Sequence, residues 1–415
     1  MTQKPRALSS NEFSNGTSAD TPKLEIQNSG NVLTIHWNDG RNDGTHSRYH
    51  AIWLRDNGQD PDTRDPGNGQ KLITLQNIPA DTAIRSATLN PQSQIEFVFS
   101  PDNKHTHIDL NWLKANRYDD VGDPTLLSEN IITWGRELAG DLPRTTFQQA
   151  TEDPKCLIQW LEHIDRRGFA VMSGLPSQSH VNHYPILEAI KLLGYVRETN
   201  YGQVFEVRTE TNPVNLAYTG QGLQVHTDNP YRDPVPTLQI LGCLQNEADG
   251  GDSIVVDSFR AVEILRKESP DYFELLSTFH ARFDYQQSND IHLHTSKPMI
   301  ACTPQGQVTG IRFNNRSCHT LRDIPFAKME DYYRAYRRFG QILEDPQLAV
   351  TFKLNPNELF VVDNTRVLHG RTAYSSTGTR WLHGAYADKD SLKSRLSVLR
   401  QQYSDSGITA HPNNA

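Results

Sequence analysis

Apolar and polar positions repeat along this chain in two rhythms. Between residue 23 and about residue 115 the period is two. Val32-Leu-Thr-Ile-His-Trp37 and Ile95-Glu-Phe-Val-Phe99 alternate between Gly/Asn/Asp turns, which predicts a small β-rich N-terminal domain. A polar loop, residues 56–69, sits inside it. After a linker near Tyr118 to Pro124, apolar residues recur at helical spacing. Amphipathic helices are expected over Leu126 to Leu138, Lys155 to Arg167 and Tyr184 to Leu193, interleaved with strands. From Val204 onward strands dominate, apart from a helical insertion around Met329 to Leu343. The pattern predicts a mainly β fold with flanking helices, a jelly-roll or double-stranded β-helix core. The expected organisation is a disordered tail over 1–22, the small domain over 23–115, the β-helix domain over 125–404 and a flexible tail over 405–415.

Composition narrows the function. A chain of 415 residues has room for more than one domain, and its net charge is -8. With no Lys/Arg cluster, nucleic acid and anionic membranes are poor partners. No apolar run approaches the ~18 residues of a spanning helix. The polar first twenty-odd residues lack the apolar core of a signal peptide. Cys156, Cys243, Cys302 and Cys318 show neither metal spacing nor a disulfide framework, which fits a reducing, cytoplasmic setting.

Three His-x-Asp triplets occur, and their contexts separate them. His163-Ile164-Asp165 lies in a helical repeat, where residues two apart diverge by roughly 200° and cannot share a metal. His107-Ile108-Asp109 belongs to the first domain. His226-Thr227-Asp228 ends an extended stretch from Leu223, bounded by Asn229-Pro230. On a strand i and i+2 face the same way, so both side chains can reach one ion. On this stretch alone His226 reads equally well as an ordinary buried histidine.

The distal half changes that balance. A strand run from Glu358, a turn at Asp363-Asn364 and a second strand lead into His369, 143 residues after His226. Eleven residues on, Arg380 opens another strand, expected to return as a hairpin beside the one carrying His369. Two histidines and one carboxylate leave three cis positions on Fe(II), enough for 2-oxoglutarate and O2. An arginine nearby can grip the far carboxylate of that cosubstrate bidentately. The plain alternative for Arg380 is a surface cation.

Several motifs stand in order along the chain: Ile52-Trp-Leu-Arg-Asp-Asn57, Asn215-Leu-Ala-Tyr218, His226-Thr-Asp228, Gly250-Gly-Asp-Ser253, Arg312-Phe-Asn-Asn315, His369-Gly-Arg371 and Gly384-Ala-Tyr-Ala-Asp388. With them the chain resembles the γ-butyrobetaine hydroxylase group of Fe(II)/2-oxoglutarate dioxygenases, within the taurine-dioxygenase-like superfamily. The resemblance implies that His226, Asp228 and His369 hold iron and that Arg380 binds the distal carboxylate of 2-oxoglutarate. Ser253 stands where relatives place a hydroxyl near the same cosubstrate, or is simply a turn residue. Ascorbate is a candidate for keeping the iron reduced. A carboxylate at 228 points to hydroxylation, since related halogenases leave that position vacant. Many relatives hold a structural zinc with three cysteines and a histidine. Here the cysteine positions read Gly58, Asp60 and Thr63, so no zinc is expected and the loop must be held by hydrogen bonds. The resemblance also implies a homodimer.

Substrate choice rests on aromatics. By resemblance, Tyr201, Phe205, Tyr218 and Tyr386 surround a trimethylammonium group; otherwise they are core aromatics. Phe205 stands where relatives often have Trp. Asn215, Asn314, Asn315 and Arg316 are candidates for the anionic end. The asparagines suit a carboxylate, and Arg316 suits a phosphonate at least as well. Hydroxylation of γ-butyrobetaine to carnitine therefore stands beside hydroxylation of 2-trimethylaminoethylphosphonate. A catalytically silent metabolite-binding protein is the reading from another class, and a zinc hydrolase would lack a general base near His226.

Overall fold

A computed structural model describes residues 21–37, 46–119, 125–177, 183–208, 221–288, 290–374 and 378–404. The two expected tails lie almost wholly outside these residues, and Asn215 and Tyr218 lie outside them as well. Residues 1–123 and 124–415 form two compact units.

In the first unit β1 (Lys23–Gln27), β2 (Val32–His36) and β3 (His46–His50) pair in order, as do β4 (Ala83–Leu89), β5 (Gln94–Ser100) and β6 (His105–Asp109). The alternate residues Leu33, Ile35, Tyr49, Ile95, Phe97, Phe99 and Ile108 form its buried core. The polar loop is organised around Asp60. Its Oδ2 accepts from the hydroxyls of Thr63 (2.8 Å) and Thr106, and its Oδ1 pairs with Lys104 Nζ at 2.7 Å. Gly58 gives Thr106 room, for a Cβ there would stand 2.5 Å from the Thr106 hydroxyl. Charge-assisted hydrogen bonds to Asp60 thus hold the loop together. Burial alone would raise the Asp60 pKa, but Lys104, Thr106 and Thr63 outweigh it and bring the carboxyl down to about 2. A carboxyl depressed on folding stabilises above its unfolded pKa and loses that contribution as pH falls through the folded value. Asp60→Ala is expected to cost this unit about 1–3 kcal/mol at neutral pH, a difference that shrinks between pH 4 and pH 2. Thermal unfolding of parent and variant across that range checks both points.

The second unit begins with β7 (Arg144–Thr146), β8 (Phe169–Ser173), β9 (Val196–Arg197), β10 (Phe205–Arg208), β11 (Leu223–His226), β12 (Leu238–Asn246) and β13 (Ser253–Asp257). Two hairpins follow, β14 (His280–Ser288) with β15 (Ile291–Pro298) and β16 (Ile300–Cys302) with β17 (Val308–Ile311). The last strands are β18 (Ala349–Phe352), β19 (Leu359–Asp363), β20 (Val367–Arg371) and β21 (Arg380–Ala387). One sheet runs β10-β21-β12-β19-β8-β7, with β9 on β21; the other runs β11-β20-β13-β18.

Strand alternation sorts the residues into layers. Val171, Leu241, Val255, Val350, Phe360, Val367 and Leu382, drawn from both sheets, share one buried cluster, so the sheets face each other. Their neighbours Ile240, Val361 and Ala385 pack outward against the helices Pro154–Arg167, Pro185–Leu193 and Lys389–Ser404. Val256 and Leu368 pack outward from the second sheet against Ser258–Glu268, Pro270–Thr278 and Met329–Leu343. This is the double-stranded β-helix architecture, with helices on both faces. Among the described residues no helix is long and apolar enough to cross a membrane.

Two sequence expectations are corrected. The helix expected over Leu126 to Leu138 is absent; only a 3-10 turn, Arg136–Gly140, forms. Long-range bonds pin that segment instead. Ile132 N donates to Arg166 O, Trp134 N to Asp257, and Ile132 O accepts from the buried Arg366. Nor does β21 return beside β20. It crosses to the facing sheet and pairs with β12 and β10, because successive strands of this architecture alternate between sheets. Arg380 therefore reaches the site from the wall opposite His369.

Candidate functional site

The site grows from the pairing of β11 with β20. His226 and His369 are direct cross-strand partners in that ladder, which brings their ring centroids to 4.5 Å. Asp228 lies two residues past the end of β11, where Asn229 adopts φ 51° and turns the chain. A brace from the β19–β20 turn aims it. Asn364 accepts from Asp228 N at 2.7 Å and donates to Asp228 O at 2.9 Å. The ligand atoms of His226, Asp228 and His369 then lie within 4.8 Å of one another.

Protonation favours metal binding. His226 Nδ1 is 2.8 Å from the carbonyl of Gln224, which can only accept, so Nδ1 carries the proton. Nε2 faces the other ligand atoms, 3.3 Å from Asp228 Oδ1. Burial and the neighbouring His226 push His369 down to about 3. Burial alone would raise Asp228, but the two histidines and the Tyr386 hydroxyl hold its carboxyl well below the usual range. Asp228 is thus held ionised and His369 neutral, the forms in which each can ligate a metal. His369 Nδ1 is buried with no partner among the described residues. Buried lone pairs converging on a carboxylate are costly until a cation joins them, and this donor set is that of a facial iron site.

Asp228 Oδ2 is engaged separately. Gln239 Nε2 donates to it at 2.6 Å and the Tyr386 hydroxyl at 2.9 Å. Gln239 and Tyr386 sit opposite each other on β12 and β21, so register alone brings both to one oxygen.

A cavity adjoins the triad. Tyr201, Phe205, Tyr231 and Tyr386 line one part of it, and Ser253, Arg371 and Arg380 another. Arg380 is buried; its Nε donates to Gly251 O at 3.1 Å, which orients the guanidinium fork. Gly251 is required there, since a Cβ would meet Arg380 Cδ at 2.8 Å and the backbone has φ +69°. Both arginines lie against the Tyr374 ring, at 5.1 Å for Arg371 and 5.6 Å for Arg380. Burial, together with the charge of Arg380, lowers the Arg371 pKa. Two buried guanidiniums repel each other unless an anion lies between or beside them. The distal carboxylate of 2-oxoglutarate fits that requirement.

Residues 132–386 match the family described as Taurine catabolism dioxygenase TauD, TfdA family, and residues 24–114 match Gamma-butyrobetaine hydroxylase-like, N-terminal. The chain belongs to the TauD, TfdA dioxygenase family. It is a 2-oxoglutarate-dependent dioxygenase that uses Fe(II) and O2. The gamma-butyrobetaine dioxygenase of Pseudomonas sp. (strain AK-1) is 32% identical over 89% of this chain and 94% of its own length. The human gamma-butyrobetaine dioxygenase is 29% identical over 92% and 97%. The trimethyllysine dioxygenase of Meyerozyma guilliermondii is 26% identical, again over 92% and 97%.

The structure distributes the remaining sequence-derived residues of this dioxygenase unevenly. Tyr201, Phe205, Ser253, Arg316 and Tyr386 line the cavity. Asn314 is used internally: its Nδ2 donates to Thr227 O and its Oδ1 accepts from the backbone of Arg316 and Ser317. Asn315 is exposed and accepts from Tyr336. Neither asparagine lines the cavity, and Arg316 is the member of that trio which does. Sequence reading assigned no role to Arg371, Gln239 or Tyr231. Gln239 had a signal, a polar residue inside the apolar run Leu238-Gln-Ile-Leu. Tyr231 had none, since it is placed by stacking on Tyr285 at 4.7 Å and by donating to Asn229 at 2.7 Å.

Proposed function

We propose that this dioxygenase hydroxylates a small zwitterion bearing a trimethylammonium group, with γ-butyrobetaine, yielding carnitine, as the first candidate. The observation that carries the reading is the set of aromatic rings beside the triad. Tyr201, Phe205 and Tyr386 form a chain with centroid spacings of 5.9 and 5.2 Å, and Tyr231 joins through a 3.3 Å contact between its hydroxyl and that of Tyr201. A quaternary ammonium has no proton to donate, so ring faces are its natural host, at about 0.5–2 kcal/mol per good contact. Burial drives the Tyr201, Tyr231 and Tyr386 hydroxyls far above their ordinary pKa, so these rings stay neutral. The names of the relatives point the same way. Tyr218 and Asn215 keep the roles that resemblance gives them, and a homodimer belongs to the same reading.

In the proposed division of labour His226, Asp228 and His369 hold iron, while Arg380, with Ser253 and Arg371 beside it, holds the cosubstrate. Iron with 2-oxoglutarate supplies the oxidising power: decarboxylation to succinate and CO2 is coupled to insertion of one oxygen atom of O2 into a substrate C–H bond. The protein's own share is positioning. The rings fix the cationic end and Arg316 the anionic end, so one carbon between them faces the metal.

A second reading is favoured by one observation. Arg316 lines the cavity and the two asparagines do not, and a guanidinium serves a phosphonate dianion at least as well as a carboxylate. The alternative substrate is therefore 2-trimethylaminoethylphosphonate. Arg316→Gln is expected to weaken calorimetric binding of the true substrate by about 10–100-fold, the worth of a charge-assisted hydrogen bond. The wrong zwitterion starts weaker and changes little. Equal binding of both compounds by parent and variant would remove Arg316 from the reading.

The rings can be tested apart from the anion. Gly384 faces Phe205 across the β10–β21 pair, and a Cβ there would stand 2.2 Å from the Phe205 ring. Gly384→Ala must displace that ring. The expected result is a rise of roughly 3–30-fold in KM for the ammonium substrate with the 2-oxoglutarate requirement unchanged. Steady-state kinetics with each compound varied in turn checks this.

A further inference from the structure

Gln239 is an unusual residue for its place. It is 2% exposed near the start of β12, flanked by Leu238 and Ile240, both wholly buried. An amide in such surroundings is costly unless paired. Its nitrogen is paired with Asp228 Oδ2, while its Oε1 is buried with no partner among the described residues. The amide therefore has one tolerable orientation, because the reverse would set its oxygen against a carboxylate oxygen. Tyr386, directly across the β12–β21 ladder, donates to the same Oδ2. The carboxylate is thus asymmetric: Oδ1 lies toward His226 Nε2 and Oδ2 carries two donors.

We infer that Gln239 is a positioning residue that, with Tyr386, keeps Asp228 Oδ2 away from iron, and that Tyr386, which also lines the substrate cavity, carries substrate occupancy to the metal ligand. A carboxylate whose second oxygen already accepts two hydrogen bonds binds a metal through the other one alone. The consequence is functional. Two histidines and a one-oxygen carboxylate leave three positions, two for the 2-oxo acid and one for O2, whereas a carboxylate binding through both oxygens would close one of them. The coupling follows from Tyr386 having two faces to its chemistry. A cation over its ring makes the hydroxyl a stronger donor, which holds Oδ2 more firmly off the metal and fixes Oδ1 toward it. This second half rests on the trimethylammonium reading; the first half does not.

Cobalt(II) is the probe, since its visible absorption reports coordination number and geometry without turnover. In the absence of any substrate, Gln239→Leu is expected to bind Co(II) about 10–100-fold more weakly than the parent, as loss of a bond supporting a metal ligand does. Its Co(II) absorption bands should also change. Tyr386→Phe, which keeps the ring, should change both in the same direction. Parent-like affinity and spectrum in folded Gln239→Leu would overturn the first half, and if that variant does not fold, Tyr386→Phe decides it by the same two readouts. Adding γ-butyrobetaine or 2-trimethylaminoethylphosphonate should shift the Co(II) spectrum of the parent. It should leave that of Tyr386→Phe unmoved while calorimetry still registers binding. A shift that persists in Tyr386→Phe would overturn the coupling. If neither compound binds the parent, the substrate reading and the coupling fall together, while the Gln239 result still stands or falls by itself.

Discussion

Asp228→Ala is expected to reduce 2-oxoglutarate-coupled O2 uptake to the background of the assay. The substitution removes the one anionic ligand of the triad and leaves two neutral imidazoles to hold a dication. It also strands the donors built around that carboxylate, Gln239 Nε2 and the Tyr386 hydroxyl. Loss of a supporting bond costs about 10–100-fold in metal affinity, so loss of the ligand itself must cost more. The protein should remain folded. Asp228 lies past the end of β11, and the Asn364 brace bonds its backbone, which alanine keeps. The check is iron stoichiometry measured alongside uptake. A folded variant that retains iron and turns over within about tenfold of the parent would remove Asp228 from the site, since even a supporting residue costs that much.

Arg380→Ala is expected to raise the 2-oxoglutarate requirement by about 10–100-fold or more, because it removes charge-assisted hydrogen bonds worth about 1.5–3 kcal/mol. The ammonium substrate's KM should move far less, since Arg380 stands with Arg371 and Ser253 while the rings form another part of the wall. Arg380→Lys should recover only part of the loss, as a point charge lacks the fork that Gly251 O orients. The measurement is KM for each compound with the other saturating. Equal increases for both would mean that Arg380 shapes the cavity as a whole rather than gripping the cosubstrate.

The grouping of His226, Asp228 and His369 was legible because its signals are local. A strand ending in His226 with a carboxylate two residues on, and a strand carrying His369 after a turn at Asp363-Asn364, require only period-two reasoning. The register that sets His226 opposite His369 is not written in either strand. It follows from the ladder as a whole, and so does the meeting of Gln239 with Tyr386. Arg380 shows the same limit. Its residue type and distance from His369 pointed to the cosubstrate, yet the hairpin inferred to deliver it does not exist, because β21 belongs to the opposite sheet. Leu126 to Leu138 has helical spacing and still forms no α-helix, since bonds to Arg166, Asp257 and Arg366 outbid local propensity. The loop around Asp60 was expected to rest on hydrogen bonds, but Lys104 and Thr106, more than forty residues away, could not be read from its sequence.

The most direct test is O2 uptake by the Fe(II)-loaded protein with 2-oxoglutarate, in the presence of γ-butyrobetaine, trimethyllysine, 2-trimethylaminoethylphosphonate or taurine. Strong stimulation by a trimethylammonium zwitterion, with succinate formed in step with uptake, is the predicted result. Stimulation by taurine alone, or by none of the four, would contradict the assignment of the aromatic wall to an ammonium head group.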